Sequence, residues 1–287
     1  SSISNMIGFK SDILKFKSKV EKLREFMDVD GEKMVVENAI TPEKQWPSAG
    51  KIELRDFNMR YHEDLELALK NINLTIEPGE KIGIVGRTGA GKTSLTRALF
   101  HMVDSKNCTG SIMIDGHDIL SLNIRDLRPK LGIIPQEPTM FKGSFRQNLD
   151  PLVEYNIEDM WSAPLITKNK SVRRHGLSRH AGNSFSEGQQ QLFGLCRLLM
   201  RNRKIVVLDE ATASVDLETD RQVHSLIQSE FKDCTVLTIA HRLETVMRSE
   251  RVIVMDGGRI VEVGPPAELL ASNGHFSELV KANDFGQ

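Results

Sequence analysis

The densest chemistry in this chain lies in Gly86-Arg87-Thr88-Gly89-Ala90-Gly91-Lys92-Thr93, which fits the spacing G-x-x-x-x-G-K-[ST]. Its glycines free the backbone to curl, so that N–H groups converge on an anion as a triphosphate requires. Lys92 adds a point charge toward the β- and γ-phosphates, and the Thr93 hydroxyl is a hard oxygen donor suited to Mg²⁺. The loop follows the apolar run Lys81–Val85 and precedes a helical pattern, the context in which such a loop holds phosphate. Further along, Ile205-Val206-Val207-Leu208 reads as a buried strand that ends in Asp209 and Glu210. Asp209 is expected to hold Mg²⁺, directly or through water. Glu210, a second carboxylate beside the γ-phosphate, can accept a proton from attacking water. Nothing resembles an Asn-Lys-x-Asp base reader, so an adenine nucleotide is the expected ligand.

A third stretch, GNSFSEGQQQLFG over residues 182–194, reads as a loop that opens a helix at Ser186, Glu187 and Gly188. A helix N-terminus of this kind also suits an anion, because its first N–H groups point outward. One domain therefore carries two candidate phosphate sites far apart in sequence.

These residues need a scaffold, and the pattern supplies one. Ile52 and Leu54 alternate, then Phe57, Met59 and Tyr61 alternate on the other parity, which predicts a bulge near Arg55–Asp56. A second strand carries Leu69, Ile72, Leu74 and Ile76 and turns at Pro78-Gly79, and Lys81–Val85 is a third, buried strand. The helix after the glycine loop is expected to present Leu95, Ala98, Leu99 and Met102 on one face. Further strands are predicted at Ser111–Ile114, Leu131–Ile134, Ile205–Leu208 and Thr235–Ile239. A closing hairpin, Val252–Met255 and Arg259–Val263 around Asp256-Gly257-Gly258, is followed by two short helices. Strands alternating with helices predict an α/β fold with a parallel, helix-flanked sheet, and the leading antiparallel strands an added β layer.

The remaining sequence bounds the function. The chain has 287 residues, 39% apolar and 27% charged, with a net charge of −1. That balance gives no global argument for nucleic acid or an anionic membrane. Cys108, Cys196 and Cys234 are scattered and odd in number, which fits a reducing compartment better than a disulfide framework or a zinc site. No run reaches the length of a membrane span, and no signal peptide or initiating Met is present, so the chain is read as part of something longer. Residues 3–27 keep helical spacing, with two readings open: an amphipathic helix packed on the body, or the cytoplasmic end of a helix whose membrane part lies upstream. Residues 29–50, with Pro42, Pro47 and Gly50, read as a linker.

The order of motifs carries a resemblance. After the glycine loop come Gln136 in IIPQEP, then FSEGQQQ, the acid strand, Ala213-Ser214-Val215-Asp216, and His241 in TIAHRL. This order resembles the ATP-binding cassette of ABC transporters over about residues 50–283. The wording of GEKIGIVGRTGAGKTSLTRALF, IRDLRPKLGIIPQEPTMFKGSFRQNLDP and LDEATASVDLETD is similar to the second cassette of the C subfamily, which includes the multidrug-resistance-associated proteins. The resemblance implies a P-loop NTPase core with a parallel sheet flanked by helices, an N-terminal antiparallel β layer and a small helical subdomain at about 142–200. It further implies a cytosolic extension of a last transmembrane helix at 1–28, a linker at 29–50, the cassette at 51–283 and a tail at 284–287.

It also implies roles. ATP would be held by Gly86, Arg87, Thr88, Gly89, Ala90, Gly91, Lys92, Thr93 and Ser94, with Tyr61 stacked on adenine. Thr93, Gln136 and Asp209 would serve Mg²⁺. Glu210, His241, Gln136 and Lys92 would form the catalytic set. Ser186, Gly188 and Gln189 would cap an ATP held by a second cassette in a head-to-tail pair, with Asp216 at the interface between the two. That pairing accounts for two phosphate sites in one domain: each chain holds half of each of two sites. The implied assembly works at the cytoplasmic face of a membrane with transmembrane domains and a second cassette, and no nucleic-acid partner is expected. A channel-regulating nucleotide sensor and a soluble ABC-type ATPase are the alternatives.

Two departures from the family pattern stand out. Its preferred signature is Leu-Ser-Gly-Gly-Gln, whereas this chain has Phe185-Ser186-Glu187-Gly188-Gln189, with a negative charge where phosphate should approach. The expectation is an asymmetric pair in which the site capped by Ser186 mainly binds. Residues 160–186 are shorter than in similar proteins, contain Pro164 and no acid, and carry Lys168, Lys170, Arg173, Arg174 and Arg179. That basic run reads as a solvated face or as a contact for lipid headgroups or cytosolic loops, and no aromatic interleaving supports nucleic acid.

Overall fold

The computed structural model describes residues 15–24, 27, 39–136, 139–156, 158, 180–181, 187–209, 227–240 and 242–282. Residues 15–24 are helical (α1) within a small unit of their own, and a second compact unit runs from Val35 to Gln287. The described helix lies inside the stretch expected to be helical. No helix among the described residues is long and apolar enough to cross a membrane.

The second unit begins with an antiparallel sheet of four strands, in the order β2-β1-β4-β5. These are β1 (Ile52–Met59), β2 (Leu69–Ile76), β4 (Cys108–Ile114) and β5 (His117–Asp118). Ile52, Leu54, Phe57 and Met59 are all buried although their parity changes, because Asp56 adopts φ 46° and the pairing shifts between Leu54 and Phe57. The bulge is therefore where the alternation places it. β4 starts three residues earlier than its apolar pattern. Gly110, at φ 81°, lets this extra length pass the bulge, since a Cβ there would lie 2.4 Å from the Asp56 carbonyl oxygen.

The main sheet has six strands in the order β12-β11-β3-β10-β9-β6. β3 (Lys81–Val85), β10 (Thr235–Ile239), β9 (Ile205–Asp209), β6 (Leu131–Ile134) and β11 (Arg251–Asp256) run parallel, and β12 (Arg259–Gly264) returns antiparallel as a hairpin. Gly257 and Gly258 make the turn with φ 52° and 80°, the left-handed pair that a two-residue hairpin demands. Successive residues of β9 face opposite layers: Ile205 and Val207 join the core beneath the antiparallel sheet, and Val206 and Leu208 join Phe145, Phe193 and Leu195 on the other side. The first of these layers holds helix α2 (Lys92–Leu99), and the second holds α3 (Phe145–Leu149) and α4 (Glu187–Met200). A third cluster packs Val85, Val252 and Val254 against Phe276 and Leu279 of α6 (His275–Ala282), which follows α5 (Pro266–Ala271). This is the α/β P-loop NTPase architecture, a helix-flanked parallel sheet with an antiparallel β layer.

Three local findings go beyond the sequence pattern. The first corrects α2, which stops at Leu99, so Met102 lies outside it and is 50% exposed. His101 takes a left-handed φ of 47°, and Arg128 donates to the carbonyls of Phe100 (3.0 Å) and His101 (2.9 Å), closing the helix before another turn can form. Second, part of the stretch expected as linker is built into the body. Trp46 is buried and its indole N–H donates to the Ile114 carbonyl at 2.9 Å, and Asp115 accepts from the N–H groups of Ala49, Gly50 and Lys51. Third, the two-residue strands β7 (Gly143–Ser144) and β8 (His180–Ala181) pair antiparallel, with Gly143 opposite Ala181. Most of residues 157–186, including the basic run and Pro164, lie outside the described residues.

Candidate functional site

In-register parallel pairing aligns the carboxyl ends of four strands. Ile84 of β3 lies opposite Ile239 of β10, Ile239 opposite Asp209 of β9, and Leu208 opposite Ile134 of β6. The glycine loop after β3, Asp209, the chain leaving β10 and Gln136 therefore emerge along one edge, where ligands of open parallel sheets bind. Ala240 donates to the Ile84 carbonyl at 3.1 Å, tying two of these exits together.

The loop is held by backbone contacts. Ala90 N–H bonds the Arg87 carbonyl at 3.0 Å, and Gly258 N–H, from the β11–β12 turn, bonds the Ala90 carbonyl at 3.0 Å. Gly258 in turn accepts from Lys70 N–H at 2.8 Å, so the hairpin clamps the loop to the antiparallel sheet. Gly86, Gly89 and Gly91 all have positive φ (152°, 82° and 105°) but meet different surroundings. A Cβ on Gly86 would lie 2.3 Å from the Met255 carbonyl oxygen, which belongs to β11 and cannot yield without breaking the sheet. A Cβ on Gly89 would meet nothing within 4 Å. Gly86→Ala is thus expected to lower the unfolding free energy by about 3 kcal/mol, and Gly89→Ala by about 1 kcal/mol, the cost of conformation alone. Urea denaturation of the two variants checks the difference.

Helix α2 starts at Lys92 with Gly91 as its N-cap. No side chain caps it, and its first turn holds no acid, so no acid of that turn competes with an anion there. Lys92 is only 7% exposed and its ammonium donates to the carbonyls of Gly86 and Arg87 (3.2 Å for Arg87), folded back under the loop. Burial pushes the Asp209 carboxyl above its ordinary range, and the charge on Lys92 partly opposes this. The buried Lys92 cation thus favours the ionised form of the half-buried Asp209 carboxylate. Thr93 lies at the surface one residue into the helix, and Gln136 is exposed two residues beyond β6. The Thr93 hydroxyl, Gln136 amide oxygen and Asp209 carboxylate are the hard oxygen donors that Mg²⁺ prefers. The described residues contain no cluster of three or more His, Cys, Asp or Glu able to cage a metal. By donor chemistry, these three oxygens fit an ion held by few protein ligands together with substrate phosphates.

Tyr61 lies two residues past β1, with its hydroxyl 2.9 Å from that of Ser94 on α2 and the Arg97 guanidinium carbon 5.5 Å from its ring centroid. Gly188 and Gln189 fall in the first turn of α4. Glu210, His241, Ser186 and Asp216 lie outside the described residues. Sequence reasoning missed two contributors. The hairpin turn at Gly257-Gly258 was legible as a turn but not as the clamp on the loop. Arg97 carries no motif, and its only signal is its place three residues after Ser94 on the same helix.

A strand, a glycine loop, a helix with an uncapped N-terminus and an acid at the end of a parallel strand together define a P-loop nucleotide site. The family model described as ABC transporter matches residues 69–213, about half of the chain, and the chain belongs to that family. It is 48% identical over 268 residues to the human ATP-binding cassette sub-family C member 2, aligning 91% of this chain with 17% of that protein. It is 45% identical over 261 residues to the Saccharomyces cerevisiae metal resistance protein YCF1, covering 88% of this chain and 17% of that protein. These matches agree with the C-subfamily resemblance. The chain spans less than a fifth of the length of these curated relatives. Among solved structures, a bacterial Atm1-family ABC exporter with ATP bound superposes with a TM-score of 0.82 at 26% identity, covering 94% of this chain and 47% of that one.

Proposed function

We propose that this chain is an ATP-binding and ATP-hydrolysing cassette that powers export across a membrane, working from the cytoplasmic face as half of a head-to-tail pair. The observation that carries the proposal is Lys92 buried under the glycine loop within electrostatic reach of Asp209. That arrangement suits a triphosphate whose charge is neutralised from one side by a helix N-terminus and a lysine, and from the other by a metal-bearing acid. The length of the relatives supports transmembrane domains and a second cassette in the same polypeptide.

In this reading the loop amides from Gly86 to Gly91, with Lys92, Thr93 and Ser94, fix the substrate's phosphates, and Tyr61 takes the adenine. Magnesium, when bound, neutralises charge on the β- and γ-phosphates, and Thr93, Asp209 and Gln136 are the residues that would hold it. Glu210 accepts the proton of the attacking water, and His241 steadies the γ-phosphate as negative charge redistributes. In-line attack then relies chiefly on positioning and charge neutralisation. Ser186, Gly188 and Gln189 would serve the ATP of the other cassette, with Asp216 assigned to the interface between the two. Glu187 adds a like charge there, so the site completed by this signature mainly binds, and turnover belongs to the site built on Lys92.

Equilibrium titration of the chain with ATP, with and without Mg²⁺, tests the reading. One ATP per chain, bound more tightly with Mg²⁺, is expected. Absence of binding under both conditions contradicts it.

A further inference from the structure

We propose that Arg97 is a positioning residue for the nucleotide base: with Ser94 it sets Tyr61 as a fixed stacking platform. The proposal rests on the reading of Tyr61 as the adenine contact. Tyr61 lies in the chain beyond β1, and 39% of its surface is open, so the strand itself does not fix the ring. Two contacts from one helix restrain it. The Ser94 hydroxyl meets the ring's hydroxyl at 2.9 Å, and the Arg97 guanidinium lies over one face, its central carbon 5.5 Å from the centroid. Ser94 and Arg97 are three residues apart on α2, so they share a helix face.

Two consequences follow from this geometry. With one face of the ring covered by Arg97, the exposed remainder is where a flat base can stack. A cation on the covered face draws electron density away from the open one, which favours an electron-rich purine there. The same helix also begins at Lys92, so a single rigid element carries both the phosphate cradle and the clamp on the base platform. The spacing between the phosphate and base subsites is then built into α2 instead of depending on the non-strand chain around Tyr61. Fixing the ring before binding removes the entropy loss of ordering it afterwards.

The test compares the Mg²⁺ complexes of adenylyl imidodiphosphate and inorganic tripolyphosphate by titration calorimetry, using wild-type chain, Tyr61→Ala, Arg97→Ala, Arg97→Lys and the Tyr61→Ala/Arg97→Ala double variant. Thermal melts serve as the folding control. Arg97→Ala is expected to weaken the adenine nucleotide about three- to tenfold while leaving tripolyphosphate unchanged. Arg97→Lys, which keeps a cation but loses the planar guanidinium, falls between. The double variant is no weaker than Tyr61→Ala alone. If Arg97→Ala alters folding, Arg97→Gln, which keeps the stem, replaces it. Equal losses for both ligands mean that Arg97 acts on phosphate, and overturn the proposal. A loss in Tyr61→Ala with none in Arg97→Ala overturns the proposal and leaves the platform standing. No loss in Tyr61→Ala overturns the platform itself, and the proposal with it.

Discussion

Glu210→Gln leaves Mg-ATP binding within about twofold of wild type and lowers turnover by roughly 10²–10⁴-fold, the usual contribution of a positioned general base. Glu210 follows Asp209 directly, at the carboxyl end of a strand whose in-register neighbours deliver the glycine loop and the chain toward His241. Glutamine has the same shape and can still hydrogen-bond water, but it cannot take up a proton. Binding energy from the loop amides and Lys92 is untouched, so the two readouts should separate. Single-turnover phosphate release beside a binding titration measures both, and unchanged turnover would remove Glu210 from the mechanism.

Lys92→Ala is expected to act on binding instead, weakening Mg-ATP without removing it. The lysine is buried, its ammonium donates to the carbonyls of Gly86 and Arg87, and its charge restrains the protonation of Asp209. Truncation removes the charge that meets the phosphates and strips the two loop carbonyls of a donor. Losing one member of a buried charge pair costs about 2–5 kcal/mol, which corresponds to roughly 30-fold or more in Kd. The pH dependence follows from the sign of the Asp209 shift. The folded carboxyl binds its proton more tightly than an unfolded one, so ionised Asp209 is lost as pH falls through that raised value, and metal-dependent binding goes with it. Without Lys92 the restraint disappears and the same loss begins at a higher pH. A titration of residual Mg-ATP binding against pH, beside a metal-free control, reads this shift.

How much of this was legible in the sequence depended on what each feature asks of side chains. The glycine loop, Lys92, Asp209 and the strands that align them were readable, because phosphate and metal chemistry restricts residue type and a buried parallel strand restricts polarity. The bulge at Asp56 was readable because a change of parity in a half-buried strand has few other causes. The clamp from Gly258 to Ala90 was not readable, since it is made by backbone groups that every residue carries. Met102 was placed on the helix because periodicity has no sign for the stop that His101 and Arg128 impose. Trp46 lay hidden among prolines and polar residues, where composition suggested a linker, yet its ring is buried and its N–H satisfied.

On the proposed function, this chain holds half of each of two sites and depends on a different cassette for the rest. Light scattering on the Glu210→Gln chain, with and without Mg-ATP, tests it most directly. The chain is expected to bind ATP and stay monomeric, because Glu187 repels the phosphate that a second copy would present. A stable ATP-dependent homodimer would contradict it, showing that the signature opened by Ser186 tolerates Glu187 and that the chain completes its own sites.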